Sequence, residues 1–493
     1  MQQLSAEDAR LINTDTPQIQ GNVSLIHIYD QSTVPGGTLR FKTVLAHIQS
    51  RLGLSPVFRR KLQRVPLGLD RPYWIDDENF DIEYHVQHIA LPKPGDWRQF
   101  CIQISRIHAR PLDLHRPLWE IYVVEGLDAF IDLPPGSFAL LTKTHHAAID
   151  LDAGREITEL LHELAADVGA PPPPAPWFPR RAPHKSKLLR KGLVHSVSAP
   201  VALAGTLLNA MGQFAPTALA WVSQALHPAG IPETRFNAAV SPHRVFETRR
   251  FALDEFKAIR ELVPGATVND VVLAVCAGAM RRYLVRHDEL PEDSLTAIAP
   301  MYMRAGPRAP RATPELAWVH LRLATQVADP LQRLQAICAQ TAASDIVQRA
   351  VGASEMSALT GHSPAASLAI ASKLIGREQS SAGRSTPLAS CIITNVPGPE
   401  QAMYLCGARL TYFSAILPIS DGMGLVFAVT SYDGRIVISP TSCRELLPDP
   451  AVFAQDVRDS FQELWALAKP DRVKAPRSPR ARPTRRPAAA RAA

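Results

Sequence analysis

Five prolines in six residues, Pro171-Pro-Pro-Pro-Ala-Pro176, divide the chain about a third of the way along. Proline fixes its own φ and carries no amide hydrogen, so neither a helix interior nor a sheet ladder can run through such a stretch. The run reads as a stiff break that ends the first domain. The length agrees: 493 residues exceed one ordinary domain. The expected division is an N-terminal half over 1–168, a Pro-rich and basic linker over 169–240, a C-terminal half over 241–468 and a tail over 469–493. A hydrophobic share of 46% and a charged share of 20% describe folded halves.

The net charge of +7 is a property of the tail, because residues 472–493 carry eight Arg/Lys and no acid. The tail alternates Arg with Pro and Ala and has no aromatic to stack on bases. It reads as disordered, with no specific nucleic-acid partner. Arg180 to Lys191 holds six basic residues and no acid, and 196–226 has no charged residue at all. Two prolines and two glycines interrupt that uncharged stretch, so it reads as linker helices rather than a membrane span. The basic run beside it favours an anionic lipid surface. The polar N-terminus lacks an apolar signal region. The six cysteines form no C-x-x-C pair, so no zinc site or disulfide framework is indicated, and a cytoplasmic location is expected.

Both halves mix strands and helices, which makes this an α/β protein (α+β, with mixed sheets). Ser5-Ala-Glu-Asp8 has the spacing of a helix N-cap. Residues 138–144 read as a strand running into His145-His146, and a helix is expected over about 153–166 from Ile157, Leu160, Leu161 and Leu164. In the second half, a helix is expected over 268–284 and another over 450–468. Strands are expected around 316–327, 390–396, 411–417, 423–431 and 434–439. No Walker, G-x-G-x-x-G, H-E-x-x-H or G-x-S-x-G sequence occurs, so nucleotide, zincin and serine-hydrolase chemistry lack their usual supports.

The chemistry is concentrated in His145-His146-Ala-Ala-Ile-Asp150. If the strand continues through both histidines, they point to opposite faces, and only one can serve a given cleft. A neutral imidazole can take a hydroxyl proton near pH 7. The other histidine and Asp150 are then free to hold the loop. From the residues alone this competes with an ordinary structural His pair and, less well, with metal ligation, for which a third ligand is missing.

Around that motif the chain resembles the bacterial wax ester synthase/diacylglycerol acyltransferases, which carry H-H-x-x-x-D-G. The resemblance covers most of residues 1–468. Leu4-Ser5-Ala-Glu-Asp8, Phe80-Asp-Ile-Glu-Tyr-His85-Val, Leu91-Pro-Lys-Pro-Gly95, Pro117-Leu118-Trp119, Asn269-Asp270 and Asn395-Val-Pro-Gly-Pro399 follow the family's order and spacing. It implies two chloramphenicol-acetyltransferase-like halves with a central channel and His146 as general base, assisted by His145 and Asp150. The substrates implied are acyl-CoA and a lipid alcohol (diacylglycerol or fatty alcohol), with no cofactor and no metal. It further implies that Pro117, Leu118 and Trp119 shape a substrate pocket and that Asn269, Asp270 and Asn395 support substrate binding. The expected setting is the cytoplasm, peripheral at the inner membrane or at lipid droplets; oligomeric state is not specified.

The motif glycine is Leu151 here, and Ala153 stands where the family carries Ser. At a positive φ, leucine costs roughly 1–2 kcal/mol. Two alternatives therefore accompany the acyltransferase reading: a low-activity, lipid-binding paralogue, and transfer to a non-lipid acceptor.

Overall fold

A computed structural model describes residues 1–130, 133–149, 160–167, 176–184, 186–191, 193–194, 231–303, 315–343, 387, 389–396 and 401–469. In the N-terminal half the main elements are α1 (Ala6–Thr14), β1 (Asn22–Asp30), α2 (Phe41–Arg51), β2 (Val86–Ala90), α3 (Trp97–Ala109), β3 (Trp119–Glu125) and β4 (Phe138–His145). The C-terminal half holds β5 (Arg244–Phe246), β6 (Arg249–Ala252), α4 (Leu253–Arg260), α5 (Val268–Arg286), β7 (Thr296–Met303), β8 (Glu315–Arg322) and α6 (Pro330–Ala343). It continues with β9 (Cys391–Val396), β10 (Tyr404–Leu405), β11 (Ala408–Ile416), β12 (Val426–Tyr432), β13 (Arg435–Cys443) and α7 (Pro450–Ala468).

Two mixed sheets carry the fold, in the orders β10-β11-β1-β4-β3-β2 and β8-β7-β9-β12-β13-β5, with β6 also on β13. The first order shows that the 241–468 half lends strands to the N-terminal sheet. Strand β11 leaves its own sheet and pairs antiparallel with β1, setting Phe413 opposite His27 and Ala415 opposite Leu25. Its buried residues Leu410, Phe413 and Ala415 join the N-terminal core, which fixes that register. The Thr430 hydroxyl donates to the Phe413 carbonyl at 2.8 Å, stitching the two sheets where β11 and β12 meet. The linker boundary also moves. Phe236 is buried in the C-terminal core, so that half begins before 241.

The helices form as their ends dictate. The Ser5 hydroxyl accepts the Asp8 amide at 3.0 Å and caps α1. Helix α5 starts with a capping box in which Asp270 accepts the Thr267 amide at 2.8 Å. It crosses α7 at Gly278, where a Cβ would lie 2.1 Å from the Ser460 hydroxyl. Beside the crossing, the Arg286 guanidinium grips the buried Asp456 carboxylate through two bonds of 2.8 and 2.6 Å. The helix expected over 153–166 is corrected at its far end. Leu160 and Leu161 are helical, but Glu163 exchanges backbone bonds of 2.9 and 2.8 Å with Tyr404, and Leu164 is exposed. Pairing with the incoming chain overrides helical periodicity there. The start of that helix, the 196–226 stretch and the tail beyond 469 lie outside the described residues.

Candidate active site

Strand β4 is buried along its whole length and delivers His145 at its end. There the strand stops, and His146–Ala148 turn into a single 3-10 turn. The turn is built by His145 itself. Its Nδ1 accepts the Ala147 amide at 3.1 Å, so the neutral ring carries its proton on Nε2. That Nε2–H donates to Asp15 Oδ2 at 3.0 Å, from the residue that ends α1. The His145 amide donates to the Leu118 carbonyl at 3.0 Å. Thus His145 is bonded on three sides.

His146 is held differently. Its amide donates to the Gly21 carbonyl at 2.8 Å, and its ring stands edge-on to His145, with centroids 4.9 Å apart and planes at 84°. The residue is buried, at 3% exposure. Gly21 lies flat against it: a Cβ there would sit 2.2 Å from Nε2. The Gly21 amide in turn donates to Asp15 Oδ1 at 2.9 Å. The segment joining α1 to β1 therefore forms a wall of the histidine site. Arg244, from the opposite half, secures that segment by donating to the Gln18 carbonyl at 2.6 Å. Burial pushes the Arg244 guanidinium down to about 10, which still leaves it charged at neutral pH.

Behind the strand the electrostatics serve the scaffold. Lys143 is fully buried and donates to the Ile107 carbonyl at 2.9 Å and to the Arg110 carbonyl, at the C-terminal end of α3. Burial pushes its ammonium down to about 8, against the opposing pull of Glu120. Neighbouring His108 is driven well below the usual imidazole range, first by burial and then by Arg244 and Lys143. It shares a 2.9 Å bond with the Ser24 hydroxyl.

The structure gathers some of the sequence-selected residues and disperses others. Leu118 is adjacent to the histidines through its carbonyl. Trp119 is fully buried, and its indole N–H donates to the Phe58 carbonyl at 3.0 Å, so it packs as core. Pro117 bridges to Lys61. Asp270 is occupied at both oxygens, by Thr267 and by the Thr341 hydroxyl at 2.8 Å, and acts as a helix cap; Asn269 is half-buried beside it. Asn395 lies on β9 opposite Val429. Asp150 and Leu151 lie outside the described residues, as does 397–399 of the Asn395–Pro399 segment. A cavity of about 210 Å³, lined by residues such as Gln31, Leu39, Val123 and Phe138, sits at the far end of β4 from His146. The central passage is not traced among the described residues.

Asp15, Gly21 and Arg244 escape a reading of the sequence. Asp15 and His145 are 130 positions apart, and a glycine before a strand is an ordinary signal. Among the described residues, no group of three His, Cys, Asp or Glu side chains could hold a metal, and no helix is long and apolar enough to cross a membrane.

The wax ester synthase/diacylglycerol acyltransferase catalytic domain matches residues 4–272, and the C-terminal domain of the same family matches 315–465. Two Mycobacterium tuberculosis proteins named for diacylglycerol O-acyl transfer are similar along almost their whole length. One is 30% identical over 94% of this chain and 90% of its own. The other is 31% identical over 95% and 98%. Among solved structures, a wax ester synthase/diacylglycerol acyltransferase from Marinobacter aquaeolei VT8 superposes with a TM-score of 0.64 at 24% identity, covering 94% of this chain and 99% of that one. The starter condensation domain of rhizomide synthetase, solved with C8-CoA and Leu-SNAC, gives 0.52 at 14% identity over 95% and 94%. These likenesses agree with the mixed α/β fold expected from the sequence.

Proposed function

Because this chain belongs to the wax ester synthase/diacylglycerol acyltransferase family and is an acyltransferase acting on a lipid acceptor, we propose that it carries a long-chain acyl group from acyl-CoA to diacylglycerol or a fatty alcohol, with His146 as general base. What supports His146 over its neighbour is that the His145 ring is already engaged in building the turn. His145 has one nitrogen committed to Ala147 and the other to Asp15. His146 is fixed through its backbone, and its Nε2 faces a residue with no side chain.

In the proposed step, His146 takes the proton of the acceptor hydroxyl as that oxygen attacks the thioester carbonyl. The tetrahedral oxyanion collapses, the carbon–sulfur bond breaks, and the departing CoA thiolate takes the proton back from the imidazolium. An ester and free CoA result, and no covalent acyl-enzyme is formed. Positioning of the two substrates supplies much of the rate. The test is thiol release from palmitoyl-CoA with dioleoylglycerol, hexadecanol or a small amine as acceptor. Release that depends on either lipid alcohol is expected. Release with the amine alone would select the non-lipid reading, and folded protein that releases nothing would select the lipid-binding one.

We further infer a lipid-facing surface, with the protein cytoplasmic and peripheral at the inner membrane or a lipid droplet. Helix residues 186–191 dock through Leu188 onto Val65 and Tyr73. The turn beside this contact presents Leu67, 87% exposed at a φ of 61°. Phe178, Leu193 and Val194 are also exposed, and so are Arg64, Arg71, Arg181, Lys187, Arg190 and Lys191. Apolar tips among cations suit an anionic interface, where each basic residue near the surface contributes about 1 kcal/mol. Alanine at Lys187, Arg190 and Lys191 together is expected to weaken flotation with phosphatidylserine vesicles by roughly 100-fold. Flotation equal to wild type would remove this surface from the proposal.

A further inference from the structure

One carboxylate touches both arms of the histidine site. Asp15 Oδ2 accepts from His145 Nε2 at 3.0 Å, and Asp15 Oδ1 accepts from the Gly21 amide at 2.9 Å. Through the first bond it fixes which nitrogen of His145 is protonated. The remaining nitrogen, Nδ1, must then be the acceptor that receives the Ala147 amide and folds the 146–148 turn. Through the second bond it sets the Gly21 peptide, whose carbonyl holds the His146 amide at 2.8 Å and whose bare Cα lies against the ring. The sequence pointed to Asp150, which lies outside the described residues, for an orienting role; the geometry supplies a further carboxylate from the other end of the half.

We propose that Asp15 is the positioning residue of the histidine pair: it locks His145 in the Nε2–H tautomer and seats Gly21 against the imidazole of His146. This rests on His146 being the base. The Asp15 side chain is only 17% exposed, so water competes weakly for either bond. Arg244 extends the device across the molecule, since its bond to the Gln18 carbonyl anchors the same 15–21 segment to the second half. The wall that faces the base is thus shared by both halves, and a loosened segment would misplace His146 without unfolding either core.

Asp15→Asn separates positioning from packing because it keeps the volume and halves the acceptors. An amide offers one oxygen and one NH2 group. If its oxygen faces His145, two donors meet at Gly21. If its NH2 faces His145, that ring must move its proton to Nδ1, where it opposes the Ala147 amide. No rotamer satisfies both. In Asp15→Asn, kcat is expected to fall roughly 100-fold, the scale of an ångström-sized misplacement at a reacting centre. KM for palmitoyl-CoA should stay within about twofold of wild type, as expected of a residue that acts through the histidines.

A second readout needs no turnover. With isotope-labelled histidine, NMR of the wild type should show His145, assigned through its loss in His145→Gln, as the Nε2–H tautomer. Asp15→Asn should abolish that signature. A folded Asp15→Asn protein with wild-type kcat, or with an unchanged His145 tautomer, overturns the proposal. Should the wild type release no thiol while the tautomer still depends on Asp15, the positioning role stands and the acyl-transfer reading fails. Should His146→Ala be inactive and Asp15→Asn fully active, only the role of Asp15 fails.

Discussion

Alanine in place of His146 is expected to lower kcat for acyl transfer by roughly 10²–10⁴-fold, the range that a general base contributes. The neighbouring His145 has its two nitrogens engaged by Ala147 and Asp15. The backbone bond from residue 146 to Gly21 survives the substitution, so the turn should keep its shape. Thiol release from palmitoyl-CoA, measured over a range of acceptor concentrations, checks the expectation. The loss should fall on kcat, with KM little changed, because the imidazole acts on a hydroxyl that is already bound. A His146→Ala protein that retains a third or more of wild-type kcat would remove the imidazole from the reaction. The residual rate would then have to come from positioning and from donors around the oxyanion alone.

How much of this was legible in the sequence divides along the distance between interacting residues. The Ser5 cap, the start of α5 and the ends of α7 are decided within a few positions, and the sequence reading placed them close to where they lie. The same holds for His145-His146 at the end of a strand. The passage of β11 into the N-terminal sheet was not legible. Its alternation is equally satisfied by pairing within the C-terminal half, and only the packing of Phe413 and Ala415 over β1 selects the partner. The overrun of the helix past Leu161 has the same origin: Leu164 continues a helical period, yet the backbone of Glu163 is claimed by Tyr404. The site followed this rule too. The residue types that could do chemistry were visible, while Asp15, Gly21 and Arg244 matter only through folded contacts with no local signature. Asp270 shows the two kinds of signal side by side. Its place in a family motif drew attention to it as a site residue, and the structure also gives its buried carboxylate a helix cap on Thr267 and a bond from Thr341.

Trp119→Ala is expected to act on stability first, with a loss of about 3–5 kcal/mol, the usual cost of truncating a buried tryptophan. The indole is 0% exposed; it stacks on His85 with centroids 4.5 Å apart and meets Phe58 edge-on at 5.5 Å. Truncation also leaves the Phe58 carbonyl without the 3.0 Å indole bond, in a place water does not reach. At about 2–4 °C per kcal/mol for a domain of this size, the melting temperature should fall by roughly 10 °C. Trp119→Phe should recover part of that, since it refills most of the volume without restoring the bond. Catalysis is tied in through the adjacent residue: the Leu118 carbonyl holds the His145 amide, so a strand that shifts to close the cavity also shifts the histidines. The expected pattern is therefore a lower melting temperature with reduced kcat and nearly constant KM for both substrates. An unchanged melting temperature with a large rise in KM would instead put the indole on the wall of a substrate pocket, and the Pro117-Leu118-Trp119 segment would then be a specificity element rather than the packed floor beneath His145.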